Sequence, residues 1–158
     1  MSELSDNWRT IDVKRERAHQ ALETQLVGGR DSMFSLLKDL MVFAASVGYS
    51  KGVRTPLKGE TNGIILDTYH TDGKDGYIYL FGLLEFEDGE CLKIENLRST
   101  VKAYEEFCNT GLYEIQSWLE SNPSDPAGTD TILTKMLEKI TSIQKEDGVE
   151  PGKIEIEI

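Results

Sequence analysis

The stretch GGRDSMFSLLKDLMVFAASVGY, Gly28 to Tyr49, restricts the fold more than any other part of the chain. Wound as a helix, it spreads Met33, Phe34, Leu36, Leu37, Leu40, Met41, Phe43, Ala44 and Val47 over well over half of its circumference. A helix of that kind is covered on most sides, so it belongs at the centre of a helical domain. Asp31 or Ser32 offers an N-cap and Gly48 a left-handed C-cap, while Ala44 and Ala45 let a second helix approach closely. Lys38 and Asp39 interrupt the apolar run, which leaves it too short to cross a bilayer.

The flanking segments supply the neighbours. Thr10 to Val27 places Val13, Arg17/Ala18, Ala21/Leu22 and Gln25/Leu26 roughly along one face and stops at Gly28-Gly29, which predicts an amphipathic helix. Ile64–Tyr69 reads as a short extended segment closed by Asp72-Gly73. Tyr77–Glu87 is open between strand and helix; the Leu80/Leu83/Leu84 spacing favours a helix with Gly82 as a close-contact point. Ile94, Leu97, Val101, Tyr104 and Phe107/Cys108 form a helical stripe that Gly111 breaks, and Leu112, Ile115 and Trp118/Leu119 start a second. After the polar loop SNPSDPAGTD, with Thr129 or Asp130 as N-cap, a last helix carries Ile132/Leu133, Met136/Leu137, Ile140 and Ile143 to near Gly148. The expected architecture is mainly α: a compact bundle of five or six helices with a small extended insertion around residues 61–75. Residues 1–9 read as a flexible N-terminus, 10–147 as a single helical domain, and 148–158 as a tail whose alternating KIEIEI could add an edge strand or stay disordered.

At 158 residues, 39% of them hydrophobic, the chain suits one compact domain. Two cysteines, Cys91 and Cys108, and no secretory-type leader at Met1–Asp6 suggest a cytoplasmic protein with reduced thiols. The net charge of −11 is uneven: residues 1–60 sum to +1 and residues 61–158 to −12. An acidic body of this kind repels duplex DNA at long range but leaves room for a local cationic patch.

Little in the sequence looks catalytic. His19 and His70 begin no metal-ligand spacing, the two cysteines form no CxxC, and no nucleophile elbow, P-loop or dinucleotide fingerprint occurs. DTYHTDGKDGY fails the EF-hand register from either Asp67 or Asp72. The carboxylates of LEFEDGECLKIE sit on one turn, where solvation explains them. Gly28-Gly29-Arg30 reads as a tight interhelical joint more readily than as an anion cradle. The expectation is a non-enzymatic protein with no metal and no cofactor.

The cationic loop is the feature that remains. No carboxylate lies between Phe43 and Leu57, and Tyr49, Lys51, Arg54, Thr55 and Lys58 are the candidate contact residues for a partner or DNA. Lys51, Arg54 and Lys58 are spaced so that a tight loop gathers them on one side, where Arg54 and Thr55 can donate to phosphate oxygens. The alternative is that these cations pair with the acidic second half and clamp the loop to the body.

At this loop, MFSLLKDLMVFAASVGYSKGVRTPL resembles the small Dnd-system-associated proteins, also called DNA phosphorothioation-associated protein 4. Lys38, Asp39, Phe43, Ala44, Ala45, Gly48, Tyr49, Lys51, Gly52, Arg54 and Pro56 match that family's helix-to-loop pattern, and YEEFCNTGLYEIQSWL (Tyr104–Leu119) matches a second segment, with Cys108 and Thr110 where the pattern prefers Ala and Gly. The resemblance spans roughly Val13 to Leu137 and supports the helical reading of Tyr77–Glu87. It implies a role beside DNA phosphorothioation in prokaryotic anti-phage defence: a non-enzymatic accessory or adaptor that contacts larger components of a modification or restriction complex. The alternative is a small DNA-binding regulator using loop 48–59, although no helix offers convincing exposed base-reading side chains. A weak DNA contact and a homodimer are both compatible with the sequence; a membrane association is not expected.

Overall fold

The computed structural model of the chain describes residues 7–148. A single turn at Asn7–Thr10 leads into strand β1 (Asp12–Glu16), a second turn (Arg17–His19) and helix α1 (Gln20–Leu26). Helix α2 (Leu37–Lys51) is followed by strand β2 (Thr61–Ile65), helix α3 (Leu66–Thr71) and helix α4 (Asp75–Phe86). Turns at Gly89–Leu92 and Ile94–Asn96 precede the long helix α5 (Leu97–Glu120), and helix α6 (Thr129–Glu146) closes the described chain. The protein is mainly α, with one two-stranded antiparallel sheet among the described residues.

Helices α2 and α5 form the centre. α2 buries Leu40, Met41, Ala44, Ala45, Val47 and Gly48; α5, about 36 Å long at 1.5 Å per residue, buries one face from Leu97 to Leu119. The two backbones nearly touch: a methyl group on Gly48 would overlap the Phe107 carbonyl, and one on Gly111 would overlap the Ala44 carbonyl. Ala44 and Ala45 thus stand at a close helix crossing, as their size suggested. Gly111 does not break α5, contrary to expectation. An interior glycine costs about 1 kcal/mol of helix propensity, and the close packing it permits offsets that.

Other boundaries differ from the sequence expectations for identifiable reasons. Asp12–Glu16 is a strand, not the first half of a helix, because it pairs with residues 61–65 in the register Asp12↔Ile65 to Glu16↔Thr61. That pairing buries Val13 and Glu16, and a partner so distant in sequence leaves no local signature. The extended segment expected at Ile64–Tyr69 ends at Ile65; Leu66 and Tyr69 are buried one helical turn apart in α3. α2 begins at Leu37 rather than after Asp31 or Ser32, since Met33 and Phe34 lie on a loop where Phe34 N–H donates to the Leu26 carbonyl. Gly48 is inside α2, and Gly52, with φ of 69°, is its left-handed C-cap. α6 is preceded by Gly128 instead of an N-capping Thr129 or Asp130, and the Asp125 carboxylate accepts from the Thr131 amide and hydroxyl at 2.8 Å each. α4 is helical as favoured, and Gly82 lies against the Thr100 side chain. The KIEIEI tail lies outside the described residues.

Burial pushes the phenols of Tyr69 and Tyr104 and the Cys108 thiol far up. All three are neutral core members, and Cys91 is buried too. Among the described residues no helix is long and apolar enough to cross a membrane, and no group of three or more His, Cys, Asp or Glu could hold a metal ion.

Candidate functional site: the cationic loop and its polar seat

Residues 52–60 lie along α5 instead of projecting from the body. The Thr55 amide donates to the Glu106 carbonyl at 3.3 Å, and the Thr55 and Thr110 hydroxyls meet at 2.7 Å. Thr110 also lies 2.9 Å from the Val53 carbonyl. The Asn109 side-chain amide donates to the carbonyls of Thr55 and Pro56 at 3.1 and 3.4 Å. Farther along, the Lys58 amide donates to Glu16 Oε1 at 3.2 Å, and the Tyr113 hydroxyl donates to the same oxygen at 3.0 Å.

Beneath the loop is a buried polar cluster. Glu16 and His19 are 2% and 1% exposed, and Asn109 is also buried. Because Asn109 uses its amino group on the loop carbonyls, its Oδ1 is the acceptor at 2.7 Å from His19 Nε2. His19 therefore carries a proton on Nε2, with the ring edge-on to Tyr113. Glu16 Oε2 stands 3.6 Å from His19 Nε2, and neither it nor His19 Nδ1 has a hydrogen-bond partner among the described residues. The cluster positions the loop.

The loop cations do not converge. Lys51 pairs with Glu114 at 2.5 Å, whereas Arg54 bridges Glu85 of α4 at 2.9 Å and Glu106 of α5 at 3.1 Å. Glu106 and Glu114 are eight residues apart, about 12 Å along the helix. The lysine holds the Glu114 carboxyl below its ordinary value, helped by a hydrogen bond from Trp118. Tyr49 packs its ring against Phe81 and Phe107. Thr55 faces Thr110, and Lys58 is exposed with no carboxylate partner among the described residues. Sequence reasoning selected the loop but not Glu16, His19, Asn109, Thr110 or Tyr113. Only the uncapped polar run Asn109-Thr110 in the middle of a helical stripe hinted at them.

These loop and helix segments lie within a family match. A family model described as DNA sulphur modification system-associated protein 4 matches residues 12–151. The chain belongs to this family. Nothing among curated proteins or solved structures matches it. In this member of the DNA sulphur modification system-associated family, the match takes in the two strands and six helices of the described residues and the whole of the loop seat.

On the other side of Pro56 and Leu57 a groove of about 590 Å³ is lined by Asp12, Lys14, Arg98, Lys102 and Glu105 among others. Burial raises the Glu105 carboxyl to about 7 against an ordinary value of 4.5, even though the Lys14 amide donates to it at 2.6 Å. A carboxyl raised in the folded state holds its proton there while the unfolded chain has lost it. This group's contribution therefore lowers stability as pH rises from about 4.5 to about 7. Glu105→Gln is expected to remove that slope and gain about 1–3 kcal/mol at pH 8. Urea denaturation of both proteins between pH 5 and pH 8 measures it; parallel pH profiles would refute the assignment.

Proposed function

We propose that the chain is a non-enzymatic adaptor of a DNA sulphur modification system, linked to anti-phage defence, that works by docking onto a larger component. The observation that carries this reading is the outward face of α4. Tyr77, Leu80, Leu83 and Leu84 are exposed there, and Leu92 and Ile94 are exposed on the turns that follow. Exposed apolar groups collected on one helix face are characteristic of contact surfaces. Glu87 and Asp88, which pair with no cation among the described residues, flank the C-terminal end of that face beside Glu85 and Glu90, which pair with Arg54 and Lys93. The partner surface that fits is apolar with a basic rim.

The internal pairing of Lys51 and Arg54 supports the same reading. A cation already joined to a buried or half-buried carboxylate gains little from a phosphate. The alternative of a small DNA-binding regulator retains Lys58 and the rim of the neighbouring groove. The test is affinity capture of tagged chain co-expressed with the components of the modification system. Leu80→Glu/Leu84→Glu is expected to reduce recovery of one defined component at least tenfold, with the circular dichroism spectrum unchanged. Equal recovery by that variant rules out α4 as the docking face. Anisotropy with duplex DNA across salt tests the alternative: a log–log slope of about −2 to −3, lost in Lys51→Ala/Arg54→Ala/Lys58→Ala, would favour it.

A further inference from the structure

Helix α6 carries a second apolar stripe, and its surroundings differ from those of α4. Ile132 is buried at its root, but Leu133, Met136, Leu137, Ile140 and Ile143 are exposed, Leu137 to 63%. At 100° per residue these five fall within about a third of the circumference. Beside them a groove of about 510 Å³ separates α6 from α2, with Phe43, Val47 and Trp118 in its lining.

The geometry points to a second copy of this chain as the cover, its α6 pairing antiparallel with the first about a two-fold axis near Glu138. Three features carry this. The positions Leu133, Met136, Ile140 and Ile143 are spaced three, four and three residues apart, the same in either direction. A two-fold axis then sets Leu133 against Ile143 and Met136 against Ile140, as a self-complementary contact requires. The charge is equally suited. α6 balances Asp130, Glu138 and Glu146 with Lys135, Lys139 and Lys145, whereas the chain as a whole carries −11. Two copies meeting at the acid-flanked α4 face would repel; at α6 they meet without net repulsion. Finally, a single helix pair covers less than the roughly 800 Å² per partner of a standard interface, and the groove along α2 extends the contact only in part. The result is a reversible dimer.

This inference does not rest on the adaptor reading, and its test is separate. Sedimentation velocity on the full chain from about 1 µM to about 500 µM is expected to show a monomer–dimer equilibrium, with Kd values across that span being those of modest interfaces. Leu137→Glu and Ile140→Glu should each weaken it at least tenfold, while Leu80→Glu/Leu84→Glu leaves it unchanged. Leu137→Ala, a smaller change at the most exposed position, serves if a glutamate variant loses helicity. Orientation is read from cysteine crosslinking: an equimolar mixture of Met136→Cys and Ile140→Cys chains should yield the mixed disulfide dimer. Predominant Met136→Cys self-crosslinking means parallel helices and overturns the proposal. So does a full chain that stays monomeric at the highest concentration; removing residues 149–158 then shows whether the chain's own tail holds the stripe.

Discussion

Gly111→Ala is expected to destabilise the protein by about 3 kcal/mol or more, among the largest effects of any single methyl group in the chain. Gly111 lies in the middle of α5, and a Cβ there would overlap the backbone carbonyl of Ala44 on α2. Backbone cannot swing aside as a side chain can, so the two central helices must separate. Separation would loosen the packing of Leu40, Met41, Phe107 and Cys108, all of them buried. Gly48→Ala meets the Phe107 carbonyl and should behave similarly. Gly76→Ala supplies the contrast: it lies in α4 with nothing within 4 Å of the added carbon, and alanine there should be neutral or slightly stabilising. Chemical denaturation of the three variants gives the comparison. A loss below about 1 kcal/mol for Gly111→Ala would mean that α2 and α5 do not approach as described.

Arg54→Ala is expected to lose about 2–3 kcal/mol, between the values for surface and fully buried ion pairs. Its guanidinium joins the loop to α4 through Glu85 and to α5 through Glu106, whose side chain is only 9% exposed. Removing the cation leaves Glu106 buried with Lys102 at 4.0 Å as its remaining ion-pair partner. The double variant Arg54→Met/Glu106→Leu should recover much of the loss, because it removes the stranded charge along with its partner. Lys58→Ala, by contrast, should change stability by less than about 0.5 kcal/mol. Thermal and urea unfolding distinguish the two residues. If Arg54→Ala folds as stably as the parent but fails to capture a partner, Arg54 is a contact residue and the clamp reading is wrong.

The helical centre was legible because its signal is local. Leu37, Leu40, Met41, Phe43, Ala44 and Val47 do share α2, and α5 and α6 carry a 3.6-residue repeat that needs no knowledge of the neighbours, although Gly111 hid the continuity of α5 and α4 stayed open between strand and helix. The Lys51–Lys58 loop was legible as an anomaly of charge, and it lies within the residues that the DNA sulphur modification system-associated family model matches. What the loop touches was not legible. Glu16, His19 and Asn109 come from β1, the turn before α1 and the middle of α5, and only their meeting in space makes a seat of them.

Residues 12–16 show the limit most clearly. Their composition suits a helix, and pairing with Thr61–Ile65 overrides it, since burying Val13 beside a second strand outweighs a weak local preference. Gly111 teaches the same lesson in reverse: locally a helix breaker, it is retained inside α5 because Ala44 needs its space. The sequence by itself determined the helical centre at α2, the last helix α6 and which loop is cationic, since periodicity and charge are properties of neighbouring residues. Only the tertiary structure decided where the strands pair, which carboxylates hold the loop, and which apolar faces of α4 and α6 are left outside. Those outcomes depend on contacts between residues tens of positions apart.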